Sequence, residues 1–410
     1  MKALFTTIFV LFLGSLVLAQ DGEKNWFEVY GFVMTDAGYN FNQINPQWYD
    51  VVRPTKLPTM KNQYGTDGNV FFSVRQTRFG VKSTTQTGMG ELYTIFEFDM
   101  FGVGSDAGQT TIRPRQFYAQ LGQFGAGQTM SPFMDVDVFP NSLDYWGPNG
   151  MLFFRNVQIR YMPIQGDTRL TFALEAPGAS ADRGVYSEIL QNYNLDAQYP
   201  LPDFSAEYRS AHDWGYVELG GMVRYMKWED HTVYPDTVET DLSGDALGWG
   251  LSLSSNIKFS KNDVLRLQVI YGEGIQNYMN DAPVDIGIQK NSSDPVQRIK
   301  GVPLPMVSAV AFLDHNWSDR FSTAIGYSFL DIDNSDGQSY DAFKKGQYAL
   351  VNLLYTPIAN VMMGAEIQWG DRENFNNLED SLYPEDYLKT ADLLKLQFSF
   401  KYNFSHKVLF

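Results

Sequence analysis

No cysteine occurs among the 410 residues. Its absence excludes a disulfide framework, thiol catalysis, cysteine zinc sites and the lipid anchor that an exported chain carries on a cysteine. Histidine is scarce as well: His212, His231, His315 and His406 stand apart with no His-x-x-x-His pair, which argues against a catalytic metal site. There is no run of five basic residues, and 31 Lys and Arg face 47 Asp and Glu for a net charge of -16. A chain of that balance lacks the basic footprint that nucleic acid requires. A Gly-x-Ser-x-Gly elbow and a Walker A loop are missing too. A membrane hydrolase built from dispersed Ser, His and Asp stays open, because such triads are defined by geometry and not by spacing. The acidic stretch Asp331 to Gly337 looks like a calcium loop but has Asp336 and Ala342 where glycine and glutamate are needed, so it reads as a solvated loop. No cofactor is expected.

Long apolar runs are confined to the start. Lys2, the apolar stretch from Ala3 to Leu18, and the small residue Ala19 before Gln20-Asp21-Gly22 read as a secretory signal, 1–19, cleaved from a domain spanning 20–410. Beyond it no apolar run reaches 18 residues, so no spanning helix follows. The exported chain is either soluble or a membrane β-barrel.

Aromatic residues, at 15%, are abundant, and they fall in a period-two pattern. Leu394, Leu396, Phe398, Phe400, Tyr402 and Phe404 alternate with Lys395, Gln397, Ser399 and Lys401. The same split recurs at 265–271 and 321–329. Period two is the strand signal, and a face rich in aromatics opposite a small or charged face suits lipid on one side and a wet lumen on the other. Seven short polar breaks (86–90, 122–125, 163–167, 212–214, 260–262, 318–319, 357–360) alternate with eight long polar ones (40–69, 102–110, 132–152, 177–202, 229–245, 273–302, 331–346, 371–391). That count requires a 16-stranded antiparallel up-and-down transmembrane barrel with short periplasmic turns, long extracellular loops and both termini on the short-turn side. Phe124, Tyr161, Trp214, Tyr216, Phe259, Trp317, Phe321 and Tyr355 flank the short turns, where an interface girdle is expected. The chain ends on Phe410 after an alternating strand.

Basic residues concentrate in the even strands. Arg75, Arg78 and Lys82 lie in the second, and Arg78 and Lys82 oppose Phe79 and Val81, so both point inward. Arg113 and Arg115 share a face of the fourth, and Arg155 and Arg160 fall around the sixth. An arginine facing lipid near the midplane costs about 2 to 4 kcal/mol, so most of these line the lumen. Arg155 and Arg160 differ in parity, so either a bulge intervenes or Arg155 sits at the loop end. Glu97 and Asp99 share the inward parity of strand three. Two readings coexist: a stabilising ladder of charge pairs, and a cationic stripe that eases anion passage. The third long loop, 131–152, carries Phe133, Met134, Val136, Val138, Phe139, Tyr145 and Trp146 besides Asp135. An exposed loop has no need of such residues, so it is expected to fold inward as a constriction, or else to pack on a neighbouring subunit.

The stretches Gly31-Phe-Val-Met-Thr-Asp36, Arg75-Gln-Thr-Arg78-Phe-Gly80, Glu97-Phe-Asp99, Arg113-Pro-Arg115, Gly127-Gln-Thr-Met-Ser131-Pro-Phe-Met-Asp135 and Gln158-Ile-Arg160-Tyr161 resemble the DcaP-like trimeric porins of the Gram-negative outer membrane. The resemblance implies a homotrimer in outer-membrane lipid and a lumen favouring small organic anions such as dicarboxylates. By position it assigns that role to Arg78, Arg113, Arg115 and Arg160. Some members carry a helical extension before the barrel, whereas only 20–25 precede the first strand here, so assembly would rest on the barrel wall.

The reading is a non-enzymatic porin, a passive channel for small hydrophilic solutes, with Arg78, Lys82, Arg113, Arg115, Arg160, Glu97, Asp99 and Asp135 lining the pore. The alternative is an adhesion barrel whose acidic loops contact a partner. Those loops hold most of the acidity: segments 229–245, 331–345 and 371–392 contain seventeen acidic and four basic residues. An acidic chain can therefore have a cationic throat.

Overall fold

The computed structural model describes residues 25–233, 241–294, 296–375 and 385–410; the expected signal segment lies outside these. Among the described residues the wall is a closed antiparallel barrel of sixteen staves. They begin with β1 (Trp26–Asn40), an interrupted stave made of β2 (Asn69–Ser73) and β3 (Arg78–Thr87), then β4 (Gly90–Phe101), β5 (Thr110–Leu121), β6 (Phe124–Met130), β7 (Arg155–Ile164) and β8 (Arg169–Glu175). A second interrupted stave of β9 (Leu195–Gln198) and β10 (Asp203–His212) leads into β11 (Gly215–Asp230), β12 (Gly244–Lys258) and β13 (Asp263–Glu273). The hairpin β14 (Ile286–Lys290) and β15 (Ile299–Pro303) stands outside the wall, which closes with β16 (Pro305–Asn316), β17 (Phe321–Ile332), β18 (Phe343–Ile358), β19 (Val361–Asn374) and β20 (Thr390–Leu409).

All seven short breaks and all eight long ones separate consecutive staves, as the alternation requires. Among the described residues no helix is long and apolar enough to cross a membrane; the crossing is made by strands. Lipid offers backbone groups no partner, so an open edge is not tolerated. β20 removes it by pairing with β1 from Trp26↔Leu409 to Asn40↔Lys395. The Ser405-His406-Lys407 segment, which breaks the alternation in sequence, keeps this ladder without a shift.

Each stave is inside out. In β12, Leu247, Leu251 and Leu253 face outward, while Gly248, Gly250, Ser252 and Ser254 face in. Phe398 and Phe400 are likewise exposed opposite buried Gln397 and Ser399. Near the short turns, Phe124, Tyr161, Trp214, Phe259, Trp317 and Phe321 are exposed, but Tyr216 is not. It lies on the inward parity of β11 and is corrected from girdle to lumen.

The interior is not empty. Phe133, Met134 and Leu152 of the third long loop pack with Ile275, Tyr278 and Met279 of the sixth against Ile270, Met306 and Leu330 of the wall. A second cluster joins Val52 and Leu57 of the first loop to Val138 and Met151 of the third, over Val310, Phe312 and Leu350. These contacts explain apolar side chains on inward parities that a simple lipid-versus-water alternation does not anticipate. Burial under loops replaces contact with water.

Arg75, expected in the second strand, instead occupies the break between β2 and β3. It is fully buried, with Nε 2.9 Å from Asp50 Oδ2, and its Cζ lies 4.0 Å from the Phe101 ring centroid. Removing one partner of a buried pair strands the other charge. Asp50→Ala is therefore expected to lower barrel stability by about 3 to 5 kcal/mol, read from denaturant midpoints of heat-modifiable gel mobility. The Asp50→Leu/Arg75→Met double variant should recover most of the loss.

Candidate functional site

The third long loop leaves β6 after Met130 and returns at Arg155, two residues later than the sequence boundary, because Leu152 and Phe153 first bond to the sixth loop. It lies against the inner wall within its own barrel. At Gly150 an added Cβ would meet the Phe329 carbonyl oxygen at 2.3 Å, so only glycine fits this close approach. Two carboxylates hold the loop. Asp135 accepts from Arg209 Nη2 at 2.7 Å, the Tyr216 hydroxyl at 2.7 Å and Ser254 at 2.6 Å. Near the tip, Glu366 accepts from the Leu143 and Asp144 amides at 2.7 and 3.0 Å, while Gln76 and Gln397 donate to the Leu143 carbonyl.

Between this loop and the β1 to β7 wall lies a cavity of about 1000 Å³. Seven basic side chains line it: Arg53, Lys56, Arg78, Arg113, Arg115, Arg155 and Lys401, against one acidic residue, Asp144. Asp99 and Glu97 stand behind the arginines. Arg113 grips Asp99 through Nε at 3.0 Å and Nη2 at 2.8 Å, and Arg115 bridges Glu97 at 2.8 Å and Asp99 at 2.9 Å. Tyr145 of the loop joins this cluster through its hydroxyl, which receives Arg115 Nη1 at 2.6 Å. The third arginine, Arg78, is only 3.8 Å from Glu97. Two carboxylates thus face three arginines, and one positive charge remains.

The remaining cations add to it. Among the described residues Lys56, Arg155 and Lys401 make no ion pair, and Arg78 Nε and Arg155 Nη1 are buried without a hydrogen-bond acceptor. Buried charges are ordinarily paired, and these atoms have no partner within the protein among the described residues. Arg53 sits between Trp48 and Trp146, 4.2 and 4.0 Å from their ring centroids, and is held by Asp281 at 2.8 Å. This contact ties the first, third and sixth loops together. Burial pushes the Asp144 carboxyl up from its ordinary range, against the hydroxyl of Tyr348 and the amides of Trp146 and Gly147. Burial, and then Arg53, push the Lys56 amine down.

Of the residues expected to line the pore, Arg78, Arg113 and Arg115 meet in this cavity. Glu97 and Asp99 are buried as their counter-charges. Lys82 faces inward away from the cavity and pairs with Glu28 at 3.3 Å. Arg160 also faces inward elsewhere, bonded to Gln158. Asp135 does not line open lumen: it is 1% exposed and consumed by its three wall donors and the Asp137 amide, because the loop turns it toward the wall. Arg155 is the first residue of β7, the loop-end alternative. The register shift in β7 falls between Tyr161 and Ile164, beyond Arg160, while in β5 Glu97 pairs Gln116 but Phe98 pairs Pro114, leaving Arg115 as the extra residue. Sequence reasoning missed Arg53, Lys56 and Lys401. The first two follow Trp48, Tyr49, Val51 and Val52, an apolar stretch within an otherwise polar loop, and Lys401 shares the polar parity of the last strand, so a signal existed for each. Ser260, Asp263 and His315 do cluster, but Asp263 takes both partners and no serine-to-imidazole bond forms within that cluster; Ser210 meets His212 Nε2 at 3.1 Å on an exposed strand end, where among the described residues no carboxylate is bonded to the ring. Among the described residues no group of three His, Asp or Glu side chains could hold a metal.

A model of the DcaP outer membrane protein family matches residues 18–390. The chain belongs to the DcaP family. It is accordingly an outer-membrane channel of the porin class. Among solved structures, the outer membrane channel DcaP of Acinetobacter baumannii is similar with a TM-score of 0.74 at 19% identity, over 95% of this chain and 100% of that one. The anion-selective porin from Comamonas acidovorans follows the same fold, with a TM-score of 0.55 at 10% identity over 93% and 100%. OmpT of Vibrio cholerae does so with 0.54 at 11% over 95% and 100%. No curated protein matches the sequence.

In this DcaP-family barrel the tip of the third loop donates two backbone amides to one buried carboxylate, Glu366. Glu366→Ala should release it, giving larger and noisier single-channel conductance in planar bilayers. Glu366→Gln keeps one acceptor oxygen and should change conductance less.

Proposed function

We propose that the protein is a trimeric diffusion channel that passes small hydrophilic solutes and favours small organic anions, dicarboxylates among them, through a passage narrowed by the third loop. The observation that carries this reading is the imbalance of the lumen cavity, seven basic side chains against one acidic, with Arg155, Lys56 and Lys401 lacking carboxylate partners among the described residues. In a narrow passage of low effective dielectric, fixed positive charge lowers the cost of admitting an anion and raises that of a cation. Two separated cations suit the two ends of a dicarboxylate, and the planar fork of arginine suits each carboxylate. The Comamonas acidovorans porin of the same fold is anion-selective, and Vibrio cholerae OmpT is known in a trimer form.

Purified trimers in planar bilayers under a potassium chloride gradient should show a reversal potential of anion-selective sign, and succinate should reduce chloride current in a saturable way. A cation-selective potential would overturn the reading. The Lys56→Ala/Arg155→Ala/Lys401→Ala variant should lower the anion-to-cation permeability ratio by about three- to tenfold. Asp144 titrates above the ordinary carboxylate value and Lys56 below the ordinary amine value. Both therefore gain protons as pH falls between about 10 and 4. Each proton adds positive charge, so anion selectivity should strengthen toward acid pH and weaken toward alkaline pH.

A further inference from the structure

A second cavity, of about 330 Å³, lies on the long-loop side and shares no lining residue with the lumen cavity. Its floor is buried and apolar: Leu190 of the fourth loop, Met226 of β11, Leu242 of the fifth loop, and Ile286 and Ile288 of β14. Trp228 forms one side, opposite Ala197 in register and against Gly301, where an added Cβ would meet the indole at 2.8 Å. The rim is polar and exposed, with Arg183 and Lys300 both free of ion pairs among the described residues.

The local sequence creates this opening. Tyr199-Pro200-Leu201-Pro202 separates β9 from β10, and two prolines cannot donate to a ladder. Register pairing with β11 therefore stops at Phe204↔Val223 and resumes at Gln198↔Lys227. The cavity sits at that gap, bounded by Tyr199, Asp203 and Tyr225. The β14–β15 hairpin lines it and is fixed in place: the Asp182 amide donates to the Ile286 carbonyl at 2.9 Å, and the Ser180 amide to Asp285 at 2.8 Å. The space is thus preformed, as small-molecule sites usually are.

The acidic groups at the cavity are mostly spent. Asp182 accepts from the Gly184 amide at 2.8 Å and from Gln338 at 3.2 Å, and Asp203 forms an ion pair with Arg224 at 3.3 Å and accepts from Tyr278 at 3.0 Å. Asp196 stays exposed on β9. Lys227 is neutralised by Glu229 at 2.7 Å. What remains is an apolar floor beside the paired Arg224, beneath two cations without ion pairs and one exposed carboxylate, Asp196.

We propose that this cavity binds an amphipathic monocarboxylate of medium length, with its hydrocarbon body on the floor and its carboxylate at Arg183 and Lys300. An apolar cavity stays dry and favours an apolar guest. A dicarboxylate would set its second charge over the apolar floor, where the one buried cation, Arg224, is already shared between Asp203 and Asp285 at 3.3 Å each. The site is therefore complementary in chemistry to the lumen and independent of the anion preference proposed for it.

The test is photolabelling of the full-length protein in lipid nanodiscs with a diazirine-bearing decanoic acid, mapped by mass spectrometry. Label is expected on Met226, Trp228 or Leu242, displaced by decanoate but not by decanol or succinate. Ala197→Trp, which fills the space from an exposed position, should abolish that label while single-channel conductance is retained, showing an intact barrel. Arg183→Gln/Lys300→Gln, at exposed positions, should weaken displacement by decanoate about fivefold. Unchanged labelling in Ala197→Trp, equal displacement by decanol, or label confined to lipid-facing residues would overturn the proposal. Loss of anion selectivity with intact labelling would instead count against the lumen reading alone.

Discussion

Everything in this barrel follows from the backbone's need for hydrogen-bond partners in a medium that supplies none. The β20 to β1 ladder meets that need by closing the wall, and closure imposes the rest. Once the sheet is a ring, each stave has one face toward lipid and one toward a confined interior. Outward parities become Leu, Val and Phe; inward ones become Gly, Ser, Gln and charge. The interior is then wide enough to require filling, and the first, third and sixth loops fold in to do it. Their apolar residues form cores inside the lumen, and their polar residues are held by buried carboxylates of the wall.

The cationic throat is a product of that filling. Arg113 and Arg115 would be a neutral ladder if Glu97 and Asp99 were all that met them. The third loop adds Tyr145 to the pairs and brings its base beside Arg155, while the first loop contributes Lys56. The structural and functional readings of the charges are thus layered. Carboxylates lie behind, holding arginines in one orientation, and cations lie in front, facing the cavity.

The fold was largely legible in the sequence because strand parity and turn residues are local. Every short turn could be placed from Gly, Asn, Asp and Pro clusters, and the lipid face from Leu265 to Tyr271 or Phe321 to Phe329. The site was legible only in part. Arg78, Arg113 and Arg115 follow from parity within one strand, whereas Lys56 depends on the first loop turning inward and Lys401 on the closure that brings β20 beside β1. Tyr216 and Asp135 failed for one shared reason: an inward side chain and a loop carboxylate found each other across 81 positions of sequence. Periodicity carries no information about such a meeting.

Gly150, wedged against the carbonyls of β16 and β17, sets a limit on how this channel can diversify. A loop lying directly on the wall, with its tip and base both tethered, has no slack to lengthen or shorten without lifting off. Variation in what the passage admits must therefore come from exchanging side chains at fixed backbone positions, one tooth of the sieve at a time, while the outer loops remain free to change length.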